Sequence, residues 1–354
     1  MPRLLFGCVV VAVVAAGCNS AQEISAPGIE DLEIRAAKAP SSSYSATVVA
    51  PLAGYEENYV FAVNDAGYAA IQNVDYSTAP LTAAWVIRSS AQQSDVIGQS
   101  VKGFSAGTTP YVAGGLESRW TYSPSTGLVN EVLTGVAGEA VNELGDVAGT
   151  ASTAVDGRFV PHAAIWKADG TRILATEYDS VVRYAAARDI NNSGDVVIQM
   201  QRGPYNIYNS FVRLADGTMI PLPSLPGHTS VLVRGISERI GNTLYAGGTS
   251  DDRSSNYRPV RWTIDLSTFT VAATMSLSER GTGDAMTDDG TIAGEFISTS
   301  SSTGFVWTHS TTTKLSVPKG GGSSRVWSIS NDGKYVGGDA KFGSYRKAVL
   351  WRAP

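Results

Sequence analysis

The sequence predicts an all-β protein, a β-propeller of seven four-stranded blades, with six or eight blades as alternatives. Three observations predict this fold. A turn motif recurs every 38 to 49 residues, the composition favours turns and strands, and the two ends of the chain complement each other within one repeat. The 354 residues are 43% hydrophobic and 17% charged, a composition that suits a globular protein with a buried core.

The repeat is centred on a turn glycine that follows an Asn, Ser or Thr, as in "VNDAG", "INNSG" and "ISNDG". A three-residue hairpin turn needs a residue with positive φ, which glycine adopts without strain. A period near 45 residues is typical of propellers. Seven copies align on Gly67, Gly107, Gly145, Gly194, Gly241, Gly290 and Gly333.

Each repeat contains the same four segments. A strand ends in a large apolar residue before the turn, a second strand follows the turn, a third carries a late Trp, and a fourth closes the repeat. The periodic Trp residues predict packing between blades. They are Trp85, Trp120, Trp166, Trp262, Trp307 and Trp351, with Arg213 at this place in the fourth repeat.

The chain ends favour a closed ring. The last repeat stops after its third strand, "KAVLW", whereas an additional strand, "YSATVVAPLAG", precedes the first repeat. We therefore expect the N-terminal strand to complete the C-terminal blade. Such closure removes the exposed strand edges that an open array would leave.

The N-terminal segment is predicted to be a targeting signal. Residues 1–17 contain Arg3 and an apolar run too short to span a bilayer, and they end in Ala-Ala-Gly before Cys18. This resembles a bacterial lipobox, which implies a lipid anchor on Cys18 and a cell-envelope location, at the outer membrane or cell surface. An ordinary secretory signal is the alternative. Residues 18–43 then form a flexible tether and residues 44–354 the propeller.

The repeats resemble the HAF repeats of bacterial extracellular proteins. The first half of that pattern matches "INNSGDVV" from Ile190, and the second half matches "PHAAIW", which contains His162 and Trp166. Only the third repeat keeps the His, and no repeat has the full His-Ala-Phe. The resemblance implies architecture and surface location, and it transfers no catalytic residue.

At one position of the aligned repeats, which we call a column of the alignment, the residue type differs from repeat to repeat and is always charged or aromatic. It lies three residues before the Asn, Ser or Thr, next to a column of mostly small residues, and it should line one mouth of the central channel near the strand starts. A ring of charges and aromatics there could bind a small polar or anionic group; structural ion pairs between blades are the alternative. The ring comprises Phe61, Lys102, Glu139, Arg188, Arg234, Asp284 and Trp327.

Loops predicted on the same side carry aromatic and arginine side chains, which suit contacts with a glycan or a protein. These residues are Tyr76, Tyr205, Tyr208, Tyr257, Arg258, Tyr345 and Arg346.

Several functional classes lack support in the sequence. The formal net charge of −5, without a basic cluster, argues against nucleic acid. His162, His228 and His309 are too scattered to predict a metal site, and neither a cofactor motif nor a catalytic set is recognisable. The leading interpretation is a monomeric, surface-anchored, non-enzymatic binding or scaffold protein. The alternative is a propeller enzyme, such as a glycan lyase or hydrolase, using Glu139 or Asp284 with Arg188 or Arg234.

Overall fold

The computed structural model describes residues 44–77, 82–88, 94–97, 100–114, 116–123, 127–155, 158–176, 182–203 and 207–354. The predicted signal segment, Cys18 and the tether lie outside these residues. The described residues contain strands and no helix. The strands are β1 Ser45–Val48, β2 Glu57–Val63, β3 Ala69–Asp75, β4 Thr82–Arg88, β5 Ser94–Ile97, β6 Gly103–Phe104, β7 Tyr111–Gly114, β8 Leu116–Ser123, β9 Gly127–Val141, β10 Val147–Val155, β11 Arg158–Trp166, β12 Arg172–Leu174, β13 Val182–Ile190, β14 Val196–Arg202, β15 Ile207–Arg213, β16 Met219–Leu222, β17 Ser230–Ile236, β18 Thr243–Asp251, β19 Tyr257–Asp265, β20 Thr270–Ser276, β21 Gly281–Met286, β22 Ile292–Ile297, β23 Ser302–Trp307, β24 Thr312–Lys314, β25 Ser324–Ile329, β26 Tyr335–Phe342 and β27 Tyr345–Arg352.

The strands form a β-propeller of six sheets, each an antiparallel blade. Five blades have four strands, and the sixth has seven, in the order β12-β11-β10-β9-β8-β7-β6. The predicted count of seven separate blades is therefore wrong, and the alternative count of six holds.

The reason for the lower count is strand β9. This strand has 15 residues. Its first half pairs with β8, as the outer strand of the second repeat, and its last residues pair with β10, as the inner strand of the third. Because the backbone stays extended between the two repeats, their hydrogen-bonded ladders merge into one sheet.

Strand β1 closes the ring as predicted. It pairs antiparallel with β27, with Ser45 opposite Arg352 and Val48 opposite Val349. The Val49 N–H extends the ladder by donating to the Ala348 carbonyl at 2.9 Å. The last blade thus combines three C-terminal strands with the first strand of the domain.

The turn glycines have the backbone conformation that the repeat pattern requires. All seven have φ between 60° and 90°. In the fourth repeat the Gly194 N–H donates to the Asn191 carbonyl at 3.0 Å, and the equivalent Gly67 N–H donates to Asn64 at 2.9 Å. A side chain with a Cβ would be strained at this φ, so the glycine is needed for its geometry.

Five of the six periodic tryptophans lie between blades, as their spacing predicts, and the Trp120 side chain lies outside the described part of the structure. Trp85, Trp166, Trp262, Trp307 and Trp351 are buried. The Trp262 indole N–H donates to the Pro223 carbonyl of the preceding repeat at 2.9 Å, and the Trp351 N–H donates to Ser316 at 2.8 Å. These bonds satisfy the indole nitrogens while the rings fill the core.

Candidate functional site

All seven ring residues lie around one central cavity of about 390 Å³. Each comes from a different repeat: six lie on the inner strands β2, β9, β13, β17, β21 and β25, and Lys102 directly precedes β6. The structure thus brings together the residues that the repeat alignment selected. Their role in binding stays a prediction.

A β-bulge places six of these seven side chains, all except Lys102. In β13 the ladder with β14 shifts between Ala187 and Asp189, which leaves Arg188 as the extra residue. In β17 the shift between Val233 and Gly235 likewise leaves Arg234 unpaired. Bulges redirect a side chain from its normal alternation. Equivalent shifts in four other inner strands leave one extra residue each. These residues are Phe61, Glu139, Asp284 and Trp327.

The bulges also correct the predicted depth of the ring. We expected the ring near the starts of the inner strands, at the mouth where connections between blades enter. Phe61 is instead the fifth of seven residues in β2, and Arg234 the fifth of seven in β17. The ring therefore lies deeper, toward the turns, because the bulges occur near the strand ends.

The charges of the ring are only partly paired with one another. Arg188 Nη1 lies 3.3 Å from Glu139 Oε1. No carboxylate among the described residues lies within ion-pairing distance of Lys102 or Arg234. Asp284 accepts a hydrogen bond from the Thr282 hydroxyl at 2.6 Å, and burial raises the pKa of Asp284 to about 6. The cavity can therefore offer both unpaired cations and a proton-binding carboxyl.

The two aromatic residues of the ring pack against each other. Phe61 and Trp327 stack with ring centroids 5.7 Å apart. The Lys102 ammonium lies 4.7 Å from the centroid of the Phe61 ring, a cation–π contact. Phe61 is thus a wall of the cavity, and its ring is engaged in contacts within the protein.

A second set of cavity residues escaped the sequence analysis. It occupies the column directly after the Asn, Ser or Thr of each turn, so the repeat alignment contained the signal. We call it the turn collar: Asp65, Ala106, Glu143, Asn192, Glu238, Asp288 and Asn331. Five of these residues, from Glu143 to Asn331, line the central cavity.

Hydrogen bonds link the turn collar from repeat to repeat. The Glu143 N–H donates to Asn192 Oδ1 at 2.8 Å, and the Asn192 N–H donates to Glu238 Oε1 at 2.7 Å. The Glu238 N–H in turn donates a hydrogen bond to the Asp288 carbonyl at 3.0 Å. Side chains that satisfy a neighbour's backbone in this way fix the distance between successive turns.

Two acidic groups at or beside the turn collar, Asp288 and Asp189, have raised pKa values. Burial, together with the charges of Glu238 and Asp189, raises the pKa of Asp288 to about 7. Burial raises the pKa of Asp189 to about 7 despite the hydrogen bonds that it accepts from two backbone N–H groups. Carboxylates crowded at the end of one cavity disfavour each other's charge.

Next to the turn collar lies a second, acidic pocket, lined by Tyr44, Asp65, Asp288, Asp289 and Asp332 among others. Despite these carboxylates, the described residues contain no group of three or more Asp, Glu, His or Cys side chains arranged to hold a metal ion. The structure therefore gives this pocket no metal-binding geometry.

The histidines lie apart and have structural contacts. His162 is 4% exposed, and its Nδ1 lies 3.3 Å from the Thr176 carbonyl. His309 Nε2 lies 2.7 Å from the Asp289 carbonyl, and its ring meets the edge of Tyr245. His228 faces Asn256 at 3.5 Å.

Two of the loop aromatics are exposed, Tyr76 at 52% and Tyr345 at 45%. Tyr208, Tyr257, Arg258 and Arg346 are half-buried, and Tyr205 lies outside the described residues. Their proposed role in contacts with a glycan or protein stays a prediction.

Comparison with known proteins assigns the fold and no family. No protein-family model matches the chain, and no curated protein matches it. The resemblance to HAF repeats therefore stays a prediction. No helix in the described part of the chain has the length and apolar character needed to cross a membrane.

Solved structures identify the class as β-propeller. The propeller domain of the Trilobed protease from Pyrococcus furiosus is 10% identical, with a TM-score of 0.56 over 84% of this chain and 95% of that one. An oligogalacturonate lyase from Vibrio parahaemolyticus is 10% identical, with a TM-score of 0.51 over 88% and 97%. A puromycin hydrolase is 16% identical, with a TM-score of 0.54 over 86% of this chain and 54% of that one. At these identities the likeness shows the fold alone.

Proposed function

We propose that the protein binds a small polar ligand in the central cavity, as a non-enzymatic binding protein of the cell envelope. The observation that carries the proposal is the convergence of seven equivalent positions, six of them at a β-bulge, on one cavity. Each bulge leaves an extra residue outside the regular ladder, and a repeated bulge that aims varied polar side chains inward is typical of a functional site.

The competing interpretation is a ring of structural ion pairs. Such a ring would use its charges on one another, with each cation beside a carboxylate. In the ring, Arg188 has such a partner in Glu139, whereas Lys102 and Arg234 have none among the described residues. The incomplete pairing favours a ligand as the missing partner.

Catalysis is the second candidate. Glu139 and Asp284 line the same cavity, and the raised pKa of Asp284, about 6, suits a group that exchanges protons near neutrality. They come from the third and sixth repeats, which separates them around the ring and weakens a two-carboxylate hydrolysis mechanism. Two structural neighbours are an oligogalacturonate lyase and a puromycin hydrolase, which supply substrates to test rather than evidence of activity.

A glycan array combined with a lyase and hydrolase screen of the full chain separates the two candidates. We expect binding without turnover. The double variant Arg188→Gln/Arg234→Gln should abolish binding and keep the wild-type circular dichroism spectrum. Turnover that disappears in Glu139→Gln or Asp284→Asn would instead support the enzyme. If the double variant unfolds at a clearly lower temperature and no ligand is found, the ring is structural.

We also propose that Cys18 carries the lipid that anchors the protein at the outer membrane or cell surface, as the lipobox resemblance implies. Two or three acyl chains anchor a protein stably. Cys18→Ser should release the protein from the membrane fraction. A Cys18→Ser variant that stays anchored and is processed like wild type would overturn this proposal.

A further inference from the structure

The order of charges around the ring contains one like-charged neighbour pair. Along the chain the ring reads Lys102, Glu139, Arg188, Arg234, Asp284, so that signs alternate except between the two arginines. These belong to successive inner strands, β13 and β17, and both line the central cavity.

A hydrogen bond holds these two strands together beside the arginines. Asp189, the residue after Arg188, accepts the Ile236 N–H of β17 at 2.9 Å. Ile236 lies two residues beyond Arg234, so this bond joins the inner strands of two neighbouring blades close to where both arginines line the cavity.

Within the described part of the chain, only one of these two arginines forms an ion pair with a carboxylate. Arg188 is bound by Glu139 at 3.3 Å, although the Arg188 Nε is buried without a hydrogen-bond acceptor. Arg234 is half-buried and has no carboxylate within ion-pairing distance among the described residues. Burial and the neighbouring Arg188 charge lower the pKa of Arg234, although the charges of Asp284 and Glu139 act in the opposite direction. Two half-buried cations side by side destabilise the free protein.

We infer that an oxyanion of the ligand, a carboxylate, phosphate or sulfate group, binds between Arg188 and Arg234. This inference rests on the proposed binding function and names the chemistry of the ligand. Guanidinium groups offer paired N–H donors that match the oxygens of such groups. A bound anion supplies the charge that the ring lacks at this one place, and it gives the buried donors an acceptor.

An oxyanion site between Arg188 and Arg234 predicts that stability and binding change in opposite directions when Arg234 is replaced. Arg234→Gln removes the uncompensated charge, so the free variant should unfold at the same temperature as wild type or higher. The same variant should lose anion affinity by about tenfold or more, because hydrogen bonds to charged groups are among the strong ones. A purely structural arginine would show the reverse, a lower unfolding temperature.

The experiment measures unfolding temperature and calorimetric affinity of the full chain with sodium phosphate, sodium sulfate, galacturonate and uncharged galactose. We expect the oxyanions, and not galactose, to raise the unfolding temperature of wild type. Arg234→Gln and, independently, Arg188→Gln should remove that shift. The control Arg172→Gln changes an exposed arginine on the outer strand β12 and should keep it.

The outcomes separate this inference from the proposed function. If a neutral ligand binds in the cavity and Arg234→Gln leaves its affinity unchanged, the proposed oxyanion site is wrong and the proposed binding function stands. If neither oxyanions nor any glycan bind and Arg234→Gln lowers the unfolding temperature, both are wrong. If oxyanions still raise the unfolding temperature of both arginine variants, the anion binds elsewhere and the proposed site between the arginines is wrong.

Discussion

A turn asparagine hydrogen-bonds in two directions, which explains why the repeat keeps it before the glycine turn. Asn191 is 3% exposed. Its Oδ1 accepts the Asp195 N–H at 2.9 Å within its own hairpin, and its Nδ2 donates to the Ser237 carbonyl of the next repeat at 3.0 Å. One amide group therefore both closes a hairpin and joins adjacent repeats.

Replacing Asn191 with Ala should destabilise the protein by about 2 kcal/mol or more, because buried backbone groups on two repeats lose their partners. Urea unfolding followed by tryptophan fluorescence measures the change. Ser193→Ala, at an exposed position of the same turn, is the control and should change stability by less than about 0.5 kcal/mol. Equal effects of the two substitutions would mean that the asparagine bonds contribute nothing.

At the scale of the strand, the position after each ring residue is small in every repeat except the fourth, which has Asp189, because inner strands of successive repeats meet there. A Cβ on Gly235 would lie 2.5 Å from the Met286 Cβ of the next repeat and 3.0 Å from the Met286 nitrogen. A Cβ on Gly103 would lie 3.0 Å from the Ala140 Cα. Side chains larger than these would push neighbouring inner strands apart.

Gly235→Ala should therefore destabilise the protein by about 1–3 kcal/mol through overpacking. Gly322→Ala is the matched control, because the nearest atom to its Cβ would be 3.8 Å away. Both substitutions reduce the flexibility of the unfolded chain equally, so the difference between them isolates the packing effect. A Gly235 variant as stable as the Gly322 variant would show that the strands can separate at little cost.

The sequence predicted the turns, the closing strand and the seven ring residues because each is local or recurs in a fixed column. It did not predict the bulges, since these depend on how two strands pair rather than on either strand alone. Strand β9 was read as two strands because only its hydrogen bonds to β8 and β10 reveal its continuity. The turn collar was missed because Glu238 and Asp288 look like solvated turn residues until the ring closes.

Closure by β1 makes the stability of the whole molecule depend on a short N-terminal strand. Deleting residues 44–53 removes the partner of β27 and the bond from the Tyr44 hydroxyl to the Gly333 carbonyl, 2.9 Å long. We expect a lower unfolding temperature and a broader transition, because the last blade is left with an open edge. A synthetic peptide of residues 44–53 should restore the transition, and a scrambled peptide should not. An unchanged unfolding temperature after the deletion would exclude this role.

Four carboxyl groups with raised pKa values, three of which line the central cavity, also give the molecule a pH dependence. The pKa is raised to about 7 for Asp189, Asp288 and Glu295, and to about 6 for Asp284. Unfolded Asp and Glu side chains titrate near pH 4. Between about pH 4 and 7 the folded protein therefore binds more protons than the unfolded chain, and its stability falls as the pH rises through this window.

The unfolding temperature should consequently be higher at pH 5 than at pH 8. Asp288→Asn should flatten this slope and make the protein more stable than wild type at pH 8, because it removes one charge from a crowded acidic collar. Asp252→Asn is the control. The pKa of Asp252 is lowered to about 2 by hydrogen bonds from Ser254, so its contribution to stability is constant above about pH 4 and is lost only on further acidification. Its substitution should therefore leave the slope between pH 5 and pH 8 unchanged. Thermal unfolding at several pH values checks both variants, and a wild-type stability that rises steadily from pH 5 to pH 8 would show that the collar carboxyls are ionised without cost.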